Sequence, residues 1–253
     1  MLTSARQVLD LSPDEAERHH PVRLRGVITY YFAISNTMIV QDSTAGILID
    51  TSKSQGEFEP GKDVEVEGFS GRDEASNVVI SSTLTPLGSG QMPEPQHVSH
   101  GDFSSRKYET QWVEVEGIVR SSMTENDGHL VLNINTSEGR VRAHVEQRNT
   151  PSAEISPFID AKLRVSGVAN LILDARGEAM RFELLVPSPA YLHVVEPVLD
   201  DPFSIPAQSV SSLSKMSPGA ASHRLRLQGV LTQREPGELF LEDETGELQI
   251  KTA

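Results

Sequence analysis

The sequence predicts an all-β protein with short helices, built from tandem five-stranded barrels of which the third is truncated. Three observations support this prediction. A strand pattern centred on a glycine occurs three times, each copy continues into a short turn rich in Asp or Asn, Thr and Gly, and connectors rich in proline and glycine separate the copies. Alternation of apolar and polar residues is typical of half-buried strands, and its recurrence indicates one structural unit used several times.

The composition is that of an acidic globular protein. Of the 253 residues, 36 are Asp or Glu and 22 are Lys or Arg, which gives a formal net charge of −14. The absence of cysteine excludes disulfides, thiolate metal ligands and cysteine nucleophiles. The acidic balance argues against general affinity for nucleic acid or an anionic membrane, because both depend on Lys and Arg. No apolar run is long enough to span a membrane, and the first residues lack the pattern of a signal peptide.

Each copy opens with a strand that contains a glycine. The three segments read PVRLRGVIT at residues 21–29, WVEVEGIVR at 112–120 and RLRLQGVLT at 224–232. Glycine inside a strand marks a bend or a bulge. We therefore expect a long, bent first strand that pairs with neighbours on both sides of a barrel.

A hairpin follows the first strand of each copy. Residues 39–49 (IVQDSTAGILI) match residues 240–250 (FLEDETGELQI), and residues 130–141 are a looser version. Glycine supplies the positive φ that tight turns need, and Asp or Asn bonds its own backbone there. These residues predict turns rather than an aspartic-protease loop, in which Asp, Thr and Gly would be contiguous.

The remaining elements complete a recognisable barrel. Each complete copy is expected to have a long bent first strand, a two-strand hairpin, a fourth strand and a closing strand. Five strands in this order define the OB-fold, a partly open Greek-key barrel. We predict domains at residues 1–97 and 98–203 and a partial one at 204–253, with the natural polypeptide continuing beyond it. The sequence predicts fourth strands at 61–69 and 160–168, closing strands at 78–84 and 180–186, and lead-in helices at 4–9, 13–19, 99–106 and 209–215.

Residues with catalytic or metal-binding potential are few. The pairs His19 with His20 and His97 with His100 lack a third ligand nearby in the sequence, whereas metal sites need three or four. No nucleophile motif, phosphate-binding loop or His-Glu-x-x-His motif occurs. We therefore expect no catalysis, no metal and no cofactor.

The most plausible ligand surface, by analogy of fold, is the barrel face near the first hairpin. Aromatic side chains there would stack a ligand, or they would instead cover a barrel mouth as part of the core. A nucleic-acid surface would combine basic residues with rings on the central strands, and the central hairpins carry mostly aliphatic residues. The predicted ligand-binding residues are Arg25, Tyr30, Tyr31, Met38, Val40 and Gln41.

Three segments of the first copy carry a resemblance to a known family. HPVRLRGVITYY (residues 20–31), VQDSTAGI (40–47) and PGKDVEVEG (60–68) resemble the tandem OB-like repeats in the extracytoplasmic region of bacterial membrane sensor histidine kinases. The resemblance implies a periplasmic sensor region, anchored through its parent protein, that binds an unknown small molecule or envelope protein. It supplies no kinase residue and no ligand-binding residue to this chain.

Two other functions stay open on the sequence alone. One is a cytoplasmic OB-fold protein that binds single-stranded nucleic acid, which the negative charge disfavours. The other is an accessory module of an extracellular hydrolase. Gene context on either side of this chain separates the sensor and accessory-module hypotheses, whereas a binding assay at low salt tests the nucleic-acid hypothesis.

Overall fold

The computed structural model confirms the all-β fold class. It describes residues 1–54, 56–73, 76–98, 102, 106–125, 129–137, 139–147, 158–173, 179–213, 224–235 and 237–251. Strands dominate these residues and the helices are short.

The first copy is a closed barrel in the strand order β1-β2-β3-β5-β4. β1 pairs with both β2 and β4, so that Val27 lies opposite Gln41 on one side and Asp63 on the other. A parallel contact between β3 and β5 closes the ring. The strands are β1 (Pro21–Phe32), β2 (Thr37–Gln41), β3 (Gly46–Asp50), β4 (Lys62–Arg72) and β5 (Asn77–Ser89).

The predicted bend in the first strand has a steric cause. A Cβ on Gly26 would lie 2.5 Å from the carbonyl oxygen of Gln41, so only glycine lets β2 approach β1 at that point. Gly117 has the same role in the second copy, where a Cβ would meet the carbonyl group of Asn135. The shared glycine pattern therefore reflects one barrel geometry used twice.

The second copy repeats the strand order of the first. Its sheet runs β12-β10-β11-β9-β8-β7-β6, and an additional pairing of β10 with β7 closes the ring. β9 and β11 pair in parallel, as β3 and β5 do. The strands are β6 (Gln96–His97), β7 (Trp112–Thr124), β8 (Leu130–Asn135), β9 (Arg140–Val145), β10 (Lys162–Leu173), β11 (Ala179–Val186) and β12 (Leu192–Glu196).

The third copy is a smaller assembly in the described residues. β15, β16 and β17 form an antiparallel sheet, and β13 pairs in parallel with β14. Gly229 keeps its close approach to the neighbouring strand, because a Cβ there would lie 2.4 Å from the carbonyl oxygen of Glu242. The strands are β13 (Ala207–Gln208), β14 (Arg226–Leu227), β15 (Val230–Glu235), β16 (Glu238–Asp243) and β17 (Gly246–Lys251).

The lead-in helices agree with the sequence at their starts. Helices α1 (Ala5–Leu9) and α2 (Pro13–Ala16) begin after Ser4 and Ser12, whose side chains accept hydrogen bonds from the first helical turn. α2 is shorter than predicted because the chain turns into β1 with His19 at a φ of 54°. The helix predicted at 99–106 lies mostly outside the described residues. Before the third copy, α3 covers Val210–Leu213.

Two connectors differ from the prediction. The glycine-rich connector after the first copy begins later than the sequence indicates, because β5 continues to Ser89, where its end pairs with Lys62 and Asp63. Gln96–His97 were assigned to the first domain, yet they add to the second sheet by pairing with β7. The connector between the barrels is therefore short and held at both ends.

Candidate functional site

Two of the predicted ligand-binding residues lie inside the first barrel. Met38 and Val40 are completely buried, and both belong to its apolar core with Ile28, Ile47 and Ile49. β2 is a central strand whose inner face points into the barrel, so these side chains cannot line an open surface. The prediction was wrong for these two residues.

The two tyrosines also leave the predicted surface. The register between β1 and β2 shifts between Ile28 and Tyr30. Tyr30 is buried against the second barrel, and its hydroxyl lies 3.1 Å from Nε2 of His129. Tyr31 is half-buried and packs against the core of the first barrel, edge-on to Phe58 with ring centroids 5.6 Å apart. The tyrosines therefore belong to packing contacts, which was the alternative reading of the sequence.

Arg25 and Gln41 do reach a surface groove. It has a volume of about 700 Å³ and lies between the start of α1, the hairpin turn and the paired strands β1 and β4. We call it the first-barrel groove. Its polar lining is Thr3, Ser4, Arg23, Arg25, Gln41, Asp42, Ser43, Thr44, Asp63, Glu65 and Gln91.

The charges in the groove are organised by cross-strand pairs. Nε of Arg25 lies 2.6 Å from Oε2 of Glu65, and a guanidinium nitrogen of Arg23 lies 3.0 Å from Oε1 of the same carboxylate. Two hydrogen bonds hold the pKa of Glu65 below its usual value, and the one from Arg23 contributes more than the one from Arg25. The Arg25 side chain is 67% exposed, so its guanidinium group is available to an incoming acceptor.

Gln41 connects the groove with the second barrel. Its Oε1 accepts a hydrogen bond from the backbone N–H of Trp112 at 2.8 Å. Next to it, the Thr110 hydroxyl donates to the carbonyl oxygen of Gly46 at 2.7 Å. The hairpin that borders the groove therefore also holds the start of β7 through these two hydrogen bonds.

An apolar cluster fills the space between the two barrels, and we call it the barrel junction. Trp112 is 2% exposed and packs edge-on against Tyr191 with ring centroids 5.1 Å apart. The buried members are Tyr30, Phe32, Ile39, Trp112 and Val168, with Leu48, Met92, Leu185 and Tyr191 packed around them.

The Asp-x-Thr turns have a second role that the sequence analysis missed. Oδ2 of Asp42 accepts the N–H of Ala5 at 2.8 Å, and the Thr44 hydroxyl accepts the N–H of Arg6 at 3.1 Å. In the third copy, Asp243 accepts the N–H of Val210 at 2.8 Å, and Thr245 accepts that of Ser211 at 3.0 Å. Each turn thus fixes the start of its lead-in helix to the hairpin. The shared Asp-x-Thr spacing in copies one and three, replaced by Asn135-Thr136 in copy two, was the available signal.

A polar cluster lies on the second barrel at its border with the first. His129 and Glu146 face each other, with 3.4 Å between Nε2 and Oε2. His144 lies between Glu125 and Glu183, at 3.8 Å and 3.3 Å. The sequence analysis did not bring these histidines together. The signal was the alternate spacing of Arg140, Arg142 and His144, which places them on one face of β9, with Glu146 directly after the strand.

Two histidines of the first barrel, His19 and His20, have structural contacts. His20 lies 2.9 Å from a carboxylate oxygen of Glu15, and Nδ1 of His19 lies 3.1 Å from the carbonyl oxygen of Ser70. His97 is exposed in β6, and His100 lies outside the described residues. Among the described residues, no group of three or more His, Asp or Glu side chains converges to hold a metal ion.

Fold and site together define a protein of tandem OB-like barrels with a polar groove beside their junction. No protein-family model matches the chain, and no curated protein matches its sequence. Within the described residues, no helix has the length and apolar content needed to cross a membrane.

Several solved structures are similar to parts of the chain. The hypothetical protein ygiW from E. coli is 17% identical over 34% of this chain and 90% of its own, with a TM-score of 0.27. A murine DNA-binding protein bound to double-stranded DNA is 11% identical over 71% of this chain and 98% of its own, with a TM-score of 0.34. The HIN2 domain of tetrameric p202 is 14% identical over 72% of this chain and 96% of its own, with a TM-score of 0.30. Likenesses of this size carry no argument about function, which must come from the site.

Proposed function

We propose that this chain is a non-enzymatic binding and transmission region of a bacterial envelope sensor. Its first-barrel groove would take a small polar ligand, and its barrel junction would pass the bound state to the rest of the molecule. The periplasmic location and the link to a sensor histidine kinase follow from the resemblance of residues 20–31, 40–47 and 60–68 to that family. The proposal assigns no catalytic step to the chain.

The position of Gln41 is the single observation that carries this proposal. One side chain borders the groove and accepts the N–H of Trp112 from the second barrel. A ligand that competes for the Gln41 amide would weaken that contact. A lost hydrogen bond costs about 1 kcal/mol, and this changes an equilibrium roughly fivefold. That is enough to alter how the second barrel is held.

The chemistry of the groove indicates the class of ligand. Arg23 and Arg25 provide donors. Glu65, directly opposite Arg25 on the paired strand, and Asp63, opposite Val27, provide acceptors. A small molecule with both an acidic and a basic group, such as an amino acid, matches both sets. Its carboxylate would pair with the exposed Arg25 guanidinium in competition with Glu65.

Binding is tested by thermal shift with a panel of free amino acids, dicarboxylates and amino sugars. We expect a compound of the amino-acid class to raise the melting temperature of the wild-type chain and to lose this effect in Arg25→Ala. Arg164→Ala is the matched control, since Arg164 forms a similar exposed cross-strand pair with Glu116 on the second barrel. An equal rise in melting temperature in both variants would mean that the ligand does not bind in the first-barrel groove.

The sensor context is tested by reading the gene on either side of this chain. A membrane helix followed by a histidine-kinase module supports the proposal. A hydrolase domain in that place would instead favour the accessory-module hypothesis.

The nucleic-acid hypothesis has its own test. Fluorescence polarisation with a labelled single-stranded oligonucleotide at low salt should show no binding. Binding that falls steeply as salt rises would contradict the sensor proposal, because counterion release gives phosphate contacts that dependence.

A further inference from the structure

A second cavity lies between the two barrels, apart from the first-barrel groove. It has a volume of about 440 Å³, and we call it the inter-barrel pocket. The first barrel contributes residues of α1, the turn that follows it, β3, the end of β4 and the start of β5, whereas the second barrel contributes residues 107–111. Among the described residues, none lines both this pocket and the groove. A ligand bound here would contact both barrels at once.

Basic side chains from three separate segments line the inter-barrel pocket. They are Arg6 of α1, Arg72 at the end of β4 and Lys107 before β7, and within the described part of the chain none of them forms an ion pair. Arg72 is half-buried, and its side chain has no hydrogen-bond partner among those residues. Arg6 donates to the backbone carbonyl oxygen of Thr44 at a long 3.4 Å. Both guanidinium groups therefore keep most of their N–H donors for an incoming acceptor.

Arg6 and Arg72 differ in this respect from the other arginines of the first barrel. Those are Arg18, Arg23 and Arg25, and they lie 2.7, 3.0 and 2.6 Å from carboxylate oxygens. Carboxylates are not scarce, because the chain has 36 acidic and 22 basic residues. Like charges that face one cavity repel each other, and a half-buried guanidinium group without a partner has lost part of its hydration. An anion in the pocket would relieve both costs.

Lys107 supplies a positive charge from the second barrel. Its Nζ lies 3.0 Å from the hydroxyl of Tyr108 and 4.7 Å from the centroid of that ring. Tyr108 packs against the core of the second barrel, so the position of the ammonium group is tied to that barrel. An ammonium group has three N–H donors, and the contact with the Tyr108 hydroxyl leaves two of them for a ligand.

The inter-barrel pocket also contains acceptors, which restrict the class of anion. Asp10 and Glu109 are the carboxylates that line it. Gln111 is 7% exposed, its Nε2 donates to the backbone carbonyl oxygen of Glu109 at 3.4 Å, and its Oε1 accepts no hydrogen bond from the described residues. Carboxylate and amide oxygens accept hydrogen bonds from hydroxyl groups but repel other anionic oxygens. The pocket therefore suits a ligand that is anionic at one end and hydroxylated at the other, rather than a polyanion.

Hydrogen bonds hold both walls of the inter-barrel pocket in place. Nδ2 of Asn77 donates to the carbonyl oxygens of Val8 and Leu11 at 3.1 and 2.8 Å, which fixes the end of α1 against β5. On the side of the second barrel, the Thr110 hydroxyl donates to the carbonyl oxygen of Gly46. A site whose walls are fixed before binding loses less conformational entropy when the ligand arrives.

We propose that the inter-barrel pocket binds a phosphate monoester of a sugar or another polyol. The phosphate group pairs with Arg6, Arg72 and Lys107, and the hydroxyl groups donate to Gln111 and Asp10. A phosphate monoester carries a charge of about −1.5 to −2 at neutral pH, which matches several basic groups better than a single carboxylate does. Because this site shares no lining residue with the first-barrel groove, the two binding proposals can fail separately.

Isothermal titration calorimetry on the full chain tests the proposal. The probes are glucose-6-phosphate, ribose-5-phosphate and glycerol-3-phosphate, with inorganic phosphate and glucose for comparison. At least one ester should bind, and it should bind more tightly than either comparison compound. The absence of binding by every ester at about 1 mM would overturn the proposal. Inorganic phosphate that binds as tightly as the best ester would contradict the role given to the hydroxyl groups, and glucose that does so would contradict the role given to the basic side chains.

Substitutions assign the binding to this pocket. Arg72→Gln should raise the dissociation constant of the ester about tenfold or more, because it removes a charge-assisted contact with the phosphate group. Arg18→Gln is the matched control, since Arg18 lies outside the pocket and pairs with Glu15, and it should leave the dissociation constant unchanged. Equal affinities in these two variants would contradict the proposal.

Two further variants separate binding from folding and from the groove. Lys107→Gln, at an exposed position on the second barrel, should also weaken binding of the ester and guards against misfolding of Arg72→Gln. Arg25→Ala, which tests the first-barrel groove, should leave binding of the ester intact. An ester whose affinity falls in Arg25→Ala but not in Lys107→Gln would bind in the groove, and the proposal would be wrong.

Discussion

Single residues at the hairpin turn determine how closely the barrels approach. Gly46 is buried under the backbone of Thr110, whose hydroxyl donates to the Gly46 carbonyl oxygen. A Cβ at this position would overlap the Thr110 carbonyl group, at 2.8 Å from its carbon. Backbone atoms cannot rotate away as a flexible side chain can, so the contact requires glycine.

Gly46→Ala should therefore destabilise the chain by about 1–3 kcal/mol, the usual cost of overpacking. Urea unfolding measures this. Gly246→Ala is the matched control at the equivalent turn, where a Cβ would meet only Val210 at an ordinary 3.6 Å. Equal losses of unfolding free energy in the two variants would mean that Gly46 is not required for the close approach of Thr110.

At the scale of elements, the hairpins and lead-in helices act as joined units. A five-residue helix such as α1 is too short to be stable alone in water. The turn carboxylates of Asp42 and Asp243 accept the orphan N–H groups at the helix starts. The helices in turn bury Ala5, Val8 and Val210.

Asp42→Ala should cost about 1–2 kcal/mol, as expected for the loss of a helix cap. Hydrogen exchange should show faster opening of α1 and of the turn at residues 42–46 than of β4. Asp14→Ala provides the comparison, since Asp14 is exposed and makes no side-chain hydrogen bond among the described residues. A loss confined to global stability, with no selective opening of α1, would argue against a capping role.

The third sheet should be sensitive to acid through Asp243. Hydrogen bonds lower the pKa of this carboxyl group below its usual value. The largest contribution comes from the Thr245 hydroxyl and the next from the backbone N–H of Val210. A lowered folded-state pKa means that the contribution to stability is complete above the unfolded pKa of about 3.9 and is lost as pH falls through the folded one. The protection factors of the amides of β16 and β17, which are corrected for the pH dependence of intrinsic exchange, should therefore fall as pH decreases through this range. Asp243→Asn should remove that acid-dependent step.

At the scale of the whole molecule, the barrel junction decides whether two barrels behave as one body. Its apolar cluster includes Trp112, which is the only tryptophan of the chain and reports on the junction by fluorescence. The groove borders this junction through Gln41, and the polar cluster of the second barrel borders it through His129.

Trp112→Ala should cost about 3–5 kcal/mol, as truncation of a large buried aromatic side chain does. Calorimetry should then resolve separate transitions for barrels that unfold together in the wild type. Phe203→Ala is the control, because that ring is 75% exposed and its loss should be nearly neutral. A single, unshifted transition in Trp112→Ala would mean that Trp112 is not what couples the barrels.

The sequence determined the repeated unit of this protein. Strand alternation can be seen within a few residues, and the glycines at 26, 117 and 229 mark the same close approach of two strands in each copy. It also determined the turns, because Asp, Thr and Gly act on neighbouring backbone. It did not determine which faces meet. Met38 and Val40 were placed on a surface because local alternation does not decide which face of β2 points into the barrel. Tyr30 was placed there because a register shift in β1 and the docking of a second barrel are not local properties. The polar cluster of the second barrel brings His144 of β9 and Glu183 of β11 close to His129, which contacts Tyr30 of β1. Contacts between residues so far apart in the chain exist only after the barrels close and pack, so only the tertiary structure decided them.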